Sequence, residues 1–159
     1  MHRFAVLTVC DKAYAKNRED VSGKEVITMA EARGYSLIHY GILGNELPFI
    51  SEELVRLCDG HLADVVFTTG GTGLSTTDVT PEATLAVLER LFMGIPDALR
   101  IYSLKDSKQA MFSRAVAGTR GRTMIINLPG CPSSVKKCMD FLLEDLDDAL
   151  TILKGSPVV

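Results

Sequence analysis

The chain has 159 residues, which fits one domain, and its 47% apolar and 23% charged residues are ordinary proportions for a globular protein. A net charge of −3 with no basic stripe or tail argues against a nucleic-acid polymer as partner, and no apolar run approaches the roughly 20 residues that span a bilayer. Cys10, Cys58, Cys131 and Cys138 form neither a C-x-x-C pair nor a zinc spacing, and Met1-His2-Arg3 leads straight into a strand-like run, so the expected location is the cytoplasm, with reduced thiols.

Phe4 to Val9 reads as a first buried strand, ending at Cys10-Asp11. Lys12 to Asp20 reads as a loop. Ser22 and Glu25 have the S-x-x-E spacing of a capping box, which predicts a helix with Val26, Ile27 and Ala30 on one face and Gly34 at its end. Ser36 to Leu43 is a second strand, followed by Gly44-Asn45. Glu46 and Pro48 suit the first turn of a helix whose Ile50, Leu54, Leu57 and Cys58 share a face. Asp64 to Thr68 is a third strand. A helix after it has Thr80 as N-cap and Pro81 at its first position, and buries Leu85, Leu88 and Phe92. A short helix follows over Pro96 to Leu104. Thr123 to Leu128 is a final strand, broken by Pro129-Gly130. One long amphipathic helix then runs from Pro132 through Leu153. Strands alternating with helices predict an α/β fold: a three-layer α/β/α sandwich on a mainly parallel sheet, in a single domain over 1–159.

Between the third strand and its helix lies Thr68-Thr69-Gly70-Gly71-Thr72-Gly73-Leu74-Ser75-Thr76-Thr77-Asp78. Three glycines in four residues remove Cβ atoms where a backbone turns sharply or meets a ligand, and such a loop can aim several N–H groups at an anion. It has no lysine, which excludes a P-loop. It lacks the last glycine of G-x-G-x-x-G, which excludes a dinucleotide fingerprint. Parallel strands would bring Asp11, Asn45, Gly70 to Asp78 and Asn127 to Gly130 to one rim, where open α/β sheets bind ligands. His2, His39 and His61 fall outside these segments and no Ser-His-Asp order is visible, so acyl hydrolysis is not expected. The rim offers amides, hydroxyls, an arginine and few carboxylates, a set suited to phosphates with a hard cation. Arg114 is the arginine expected to clamp a phosphate. Cys10 and Cys131 are expected near each other, and a redox bridge between them needs Cα atoms within roughly 7 Å.

Thr68 to Gly73, Asp78-Val79-Thr80-Pro81-Glu82-Ala83, Thr8-Val9-Cys10-Asp11, Ser113 to Gly118 and Asn127-Leu128-Pro129-Gly130 together resemble the molybdenum cofactor biosynthesis family, which includes the molybdopterin adenylyltransferases. The resemblance implies Mg²⁺- and ATP-dependent adenylylation of molybdopterin with release of diphosphate, in a homotrimer that hands its product to a molybdenum-insertion protein. It makes Asp78 and Asn45 the catalytic pair, with Asp78 on the metal. It makes Asp11, Thr69, Gly70, Gly71, Thr72, Gly73, Glu82, Ser113, Arg114, Asn127, Pro129, Gly130 and Ser133 the substrate-binding set. Family members usually carry Asp where this chain has Asn45. That departure keeps a second reading open, a binding protein of the same fold without efficient transfer, and gives Asn45 the alternative role of helix N-cap. A nucleotide-hydrolysing domain of the competence-damage type is a third reading.

Overall fold

A computed structural model describes residues 1–155. Six strands form one sheet: β1 (Arg3–Val9), β2 (Ser36–Leu43), β3 (Val65–Thr69), β4 (Arg90–Leu91), β5 (Ala117–Arg120) and β6 (Thr123–Leu128), in the order β2-β1-β3-β6-β5-β4. The four long strands are parallel, with Phe4 opposite Val65 and Val65 opposite Met124, while β4 and β5 add an antiparallel margin. The helices are α1 (Asp11–Tyr14), α2 (Val21–Ala32), α3 (Leu47–Asp59), α4 (Thr80–Leu85), α5 (Gly94–Leu104), α6 (Pro132–Leu142) and α7 (Leu146–Leu153), with a 3₁₀ turn over Lys108–Phe112.

The strands are apolar on both faces because both are covered, and side chains alternate between two cores. Phe4, Val6, Phe67 and Ile126 pack with Val26 and Ala30 of α2, Leu99 of α5, Met139 of α6 and Leu150 of α7. Ala5, Leu7, Val66 and Ile125 pack on the other side with Ile50, Leu54 and Leu57 of α3 and Ala83 of α4. This is the expected three-layer arrangement. Its parallel strands bring Val9, Leu43, Thr69 and Leu128 to one end of the sheet.

Several local expectations change. The segment expected as a loop begins with the short helix α1. The α2 cap is Asp20, which accepts from Gly23 N at 2.9 Å, rather than Ser22, whose hydroxyl donates instead to the Gly130 carbonyl at 2.7 Å. Asp20 is held in place by Thr8 and Tyr40 hydroxyls, both at 2.6 Å, contacts that the local sequence does not show. Thr80 is the first helical residue rather than the cap, and Pro81 lies one position further in. Leu85 is exposed, because α4 ends there and Ala83, Thr84 and Val87 occupy the inner side, while Leu88 and Phe92 are partly buried as packing residues. The long C-terminal helix is two, α6 and α7, with Arg33, the residue that caps the end of α2, donating to the Glu144 carbonyl at the break at 3.2 Å. The turn lets Leu143, Leu146 and Leu150 all reach the core. Nothing in the local pattern marks strands β4 and β5. Gly118 sits opposite Leu91, and a Cβ there would collide with the Arg90 carbonyl, so pairing rather than apolar pattern makes this strand.

Candidate functional site

The glycine loop leaves β3 with its backbone in the left-handed region at Gly70 (φ 91°) and Gly71 (φ 69°), where a side chain is strained. A Cβ on Gly70 would also strike the Val9 carbonyl, and one on Gly71 would strike the Thr80 hydroxyl, so loop and neighbours are in direct contact. Thr80 donates its hydroxyl to the Gly70 carbonyl at 2.9 Å and its amide to the Gly71 carbonyl at 3.1 Å. Arg114 donates its amide to Thr72 O at 2.9 Å, Nε to Gly73 O at 2.7 Å and Nη2 to Asp78 O at 2.8 Å. The carbonyls of four successive residues are thus drawn into the protein. In a trans peptide the N–H points opposite to the C=O. The amides of Gly71, Thr72, Gly73 and Leu74 accordingly have no partner among the described residues. Four unpaired N–H groups in a row are donors that an anion can use without a lysine.

Two clefts open on either side of this loop. The first, about 650 Å³, runs along α5 and α6 and is lined by Gly70 to Leu74, Asp78, Leu99, Phe112, Ser113, Asn127, Pro129, Gly130, Ser133 and others. The second, about 540 Å³, lies over the ends of β1 and β2 and is lined by Cys10, Asp11, Lys12, Arg18, Asn45, Thr69, Gly70, Gly71, Asp78, Gly130 and Cys131 among others. Both fall in the usual range for small-molecule sites. They share Gly70, Gly71, Asp78, Gly130 and Cys131, so the start of the loop and one carboxylate belong to both. Lys12 and Arg18 have no ion-pair partner among the described residues.

Of the residues singled out from sequence, Glu82 and Arg114 line neither cleft. They form an ion pair behind the loop, and every Arg114 nitrogen bonds to the loop or to Glu82. Burial opposes ionisation of Glu82, but the hydrogen bond and charge of Arg114 outweigh it and hold its carboxyl below the usual range. Arg114 therefore braces the loop in this structure instead of facing a ligand. Asn127 borders the first cleft, yet its amide bonds to Thr68 and Thr84 at 2.9 and 3.0 Å and its Oδ1 accepts from Val116 N at 3.2 Å. It ties β6 to β3 and α4. Thr69 donates to Pro129 O at 2.6 Å, and a Cβ on Gly130 would sit 3.2 Å from Gly70 Cα, so the β3 and β6 ends close on each other.

Asn45 does not cap α3. The cap position is Glu46, and Asn45 Oδ1 is buried with no hydrogen-bond partner. Asn45 N donates to Asp11 Oδ1 at 2.7 Å, and the backbone and side-chain hydrogen bonds of Asn45 hold the Asp11 carboxyl below its ordinary range. Asp78 Oδ2 accepts from Ser75 N at 3.1 Å. Cys10 and Cys131 are free thiols on the second cleft. The two line the same cleft and are not bridged to each other. Hydrogen bonds, first from the Ser133 hydroxyl, hold the Cys131 thiol below its ordinary pKa. Sequence reading missed Arg100, Ser103, Asp106 and Lys137, which also line the first cleft. Arg100 and Ser103 sit on α5, Lys137 on α6 and Asp106 in the turn after α5, all outside the strand ends, and no local motif marks them.

An open sheet with a glycine loop and two clefts at the carboxyl ends of its parallel strands defines an α/β protein with its candidate site where such sheets bind small molecules. The molybdenum cofactor biosynthesis family model, described as a probable molybdopterin binding domain, matches residues 5–148, and the chain belongs to that family. It is 36% identical over 155 residues to the molybdopterin adenylyltransferase of Helicobacter pylori J99, covering 95% of this chain and 87% of that one. It is 33% identical over 141 residues to the enzyme of that name from Escherichia coli K12, covering 87% and 72%. The crystal structure of the molybdopterin biosynthesis enzyme MoaB from Thermus thermophilus superposes with a TM-score of 0.92 at 35% identity, covering 99% of each chain. CinA from Thermoplasma acidophilum, at 18% identity and TM-score 0.67, shares the fold alone.

Proposed function

We propose that the chain is a molybdopterin adenylyltransferase acting as a single domain in molybdenum cofactor biosynthesis, with ATP as co-substrate. The carrying observation is that two clefts meet at Gly70, Gly71 and Asp78, as a transfer between two phosphorylated substrates requires. The first cleft, with Leu99, Phe112 and Pro129 for ring faces and hydroxyls from Ser113 and Ser133, takes molybdopterin. The second, with Lys12 and Arg18 at its wall, takes the triphosphate of ATP. The free amides of Gly71 to Leu74 hold the terminal phosphate of molybdopterin. An oxygen of that phosphate attacks the α-phosphorus of ATP, the bond to the bridging oxygen breaks, and diphosphate leaves. The attacking oxygen is already ionised, so alignment and charge neutralisation are what the protein contributes.

Mg²⁺ fits this donor set. Asp78 offers a carboxylate, and Asn45 offers a buried carbonyl oxygen that has no other partner, both on the second cleft. Two protein oxygens completed by phosphates and water are the usual Mg²⁺ arrangement. The ion supplies charge neutralisation on the phosphates. Thr69, Pro129, Gly130 and Asn127 fix the loop's base, Arg114 and Glu82 brace its back, and Asp11 positions the Asn45 segment. The family resemblance further supports a homotrimer in the cytoplasm that passes the adenylate to a molybdenum-insertion protein. The amide at Asn45 favours the second reading, binding without transfer.

The test is incubation of purified protein with molybdopterin, ATP and Mg²⁺, following adenylate and diphosphate. Stoichiometric production of both, dependent on both substrates, is the expected result. Tight molybdopterin binding with no turnover transfers the case to the binding-protein reading. Sedimentation equilibrium on the same material should give three chains, and monomer alone at micromolar concentration removes the trimer.

A further inference from the structure

We propose that Asp106 and Lys137 read the amino-pyrimidinone edge of the pterin. This rests on molybdopterin occupying the first cleft. Asp106 lies in the turn after α5 and Lys137 on α6, and both line that cleft, with Nζ 2.8 Å from Oδ2. The pair is half-exposed, 44% for Lys137 and 50% for Asp106, an exposure at which an ion pair adds little to stability. The contact uses Oδ2 and leaves Oδ1 without a partner among the described residues.

Position agrees with the length of the ligand. The phosphate end lies at the glycine loop, beside Gly130 and the start of α6. Lys137 is five residues beyond Pro132, about 7 Å further along the helix at its ordinary rise. The fused rings of a pyranopterin extend a comparable distance from its phosphate arm. Leu99, Phe112 and Pro129 provide apolar surface between the two ends.

The chemistry is complementary. The far edge of a pterin carries an exocyclic amino group, a ring N–H and a carbonyl, in the order donor, donor, acceptor. A carboxylate accepts the two donors in a fork, and an ammonium group donates to the carbonyl. Adenine has no such edge, so the pair also keeps the base of ATP out of the pterin cleft. In the free protein Lys137 holds the carboxylate in place. On binding, the pterin carbonyl shares that ammonium group.

The test uses 6-hydroxymethylpterin and its 2-oxo analogue, 6-hydroxymethyllumazine, titrated by quenching of their own fluorescence. The analogue presents a carbonyl to Asp106 in place of the amino group. Wild type should prefer the pterin at least tenfold. Asp106→Asn should weaken pterin binding about 10- to 100-fold and bring the preference near unity. Lys137→Met breaks the same ion pair but keeps the carboxylate. It should weaken both probes while retaining a preference for the amino group. An unchanged preference in Asp106→Asn, or equal losses for both probes in both variants, overturns the assignment. Adenylate formation by wild type is measured in parallel. Activity with an unchanged preference discards only the edge reading, whereas a wild type that neither binds molybdopterin nor forms adenylate discards the functional reading and this inference with it.

Discussion

Asp78 is the one carboxylate among the described residues that lines both clefts, and Asn45 brings a neutral oxygen to the second where a charge would bind a cation more tightly. Asp78→Asn keeps an acceptor for the Ser75 amide, so the loop stays in place while the charge is lost. The chemical step should fall by about 10²-fold, the scale of losing one preorganised electrostatic group. Molybdopterin binding should change far less, because the amides of Gly71 to Leu74 remain. Turnover equal to wild type would remove Asp78 from catalysis. Asn45→Asp should tighten Mg²⁺ or raise turnover in a Mg²⁺ titration, despite its contact with Asp11. If both stay as in wild type, the Asn45 oxygen is not directed at the cation.

At the scale of elements, the loop between β3 and α4 owes its shape to a residue more than 30 positions away, since Arg114 bonds to the carbonyls of Thr72, Gly73 and Asp78. Arg114→Met should cost about 1–3 kcal/mol in urea unfolding, through two loop carbonyls left without their donors, and raise the KM for molybdopterin at least tenfold. Glu82→Gln touches only the partly exposed ion pair and should cost under about 1 kcal/mol. Equal costs for the two variants would mean that the pair, and not the bracing of the loop, is what Arg114 contributes. The same distance explains why sequence placed Arg114 in the ligand site. An arginine near a glycine loop has five donors and no local mark of which way they face.

For the whole molecule, the end of the sheet opposite the clefts is tied together by Asp64. This carboxylate, 8% exposed, accepts from Arg3 N at 2.7 Å and Arg3 Nη2 at 3.1 Å and pairs with Lys154 at 2.8 Å. Burial alone would raise its pKa, but the hydrogen bonds from Arg3 and Lys154 prevail and lower it from the reference value of 3.8. A depressed folded-state pKa gives stability that is fully present above the unfolded value and is lost as pH falls through the folded one. Asp64→Asn should therefore be less stable than wild type by about 1–3 kcal/mol at neutral pH, with the gap narrowing once pH drops below about 4. Urea unfolding across that range measures it. A gap that persists undiminished in acid would show that the Asp64 pKa is not lowered on folding.

The sequence by itself determined the layers and their order. Runs such as Val65-Val66-Phe67 and Met124-Ile125-Ile126 are apolar on both faces, and the helical periodicity of Ile50, Leu54 and Leu57 fits a single covering helix, so the four parallel strands and the rim at their ends were readable from local pattern. The glycine loop was readable because its residues report on their own backbone. Tertiary structure decided what depends on partners distant in the chain. Ala117 to Arg120 becomes a strand only by pairing with β4 and β6, and the final helix breaks where Arg33 meets the Glu144 carbonyl. Ser22 leaves its cap for Gly130, and Arg114 and Asn127 turn their donors into the scaffold. Asp106 and Lys137, 31 positions apart on the chain, become neighbours at 2.8 Å. Periodicity and propensity encode which surface an element buries, whereas the partner of a polar side chain is fixed only when packed elements bring its donors and acceptors within about 3 Å.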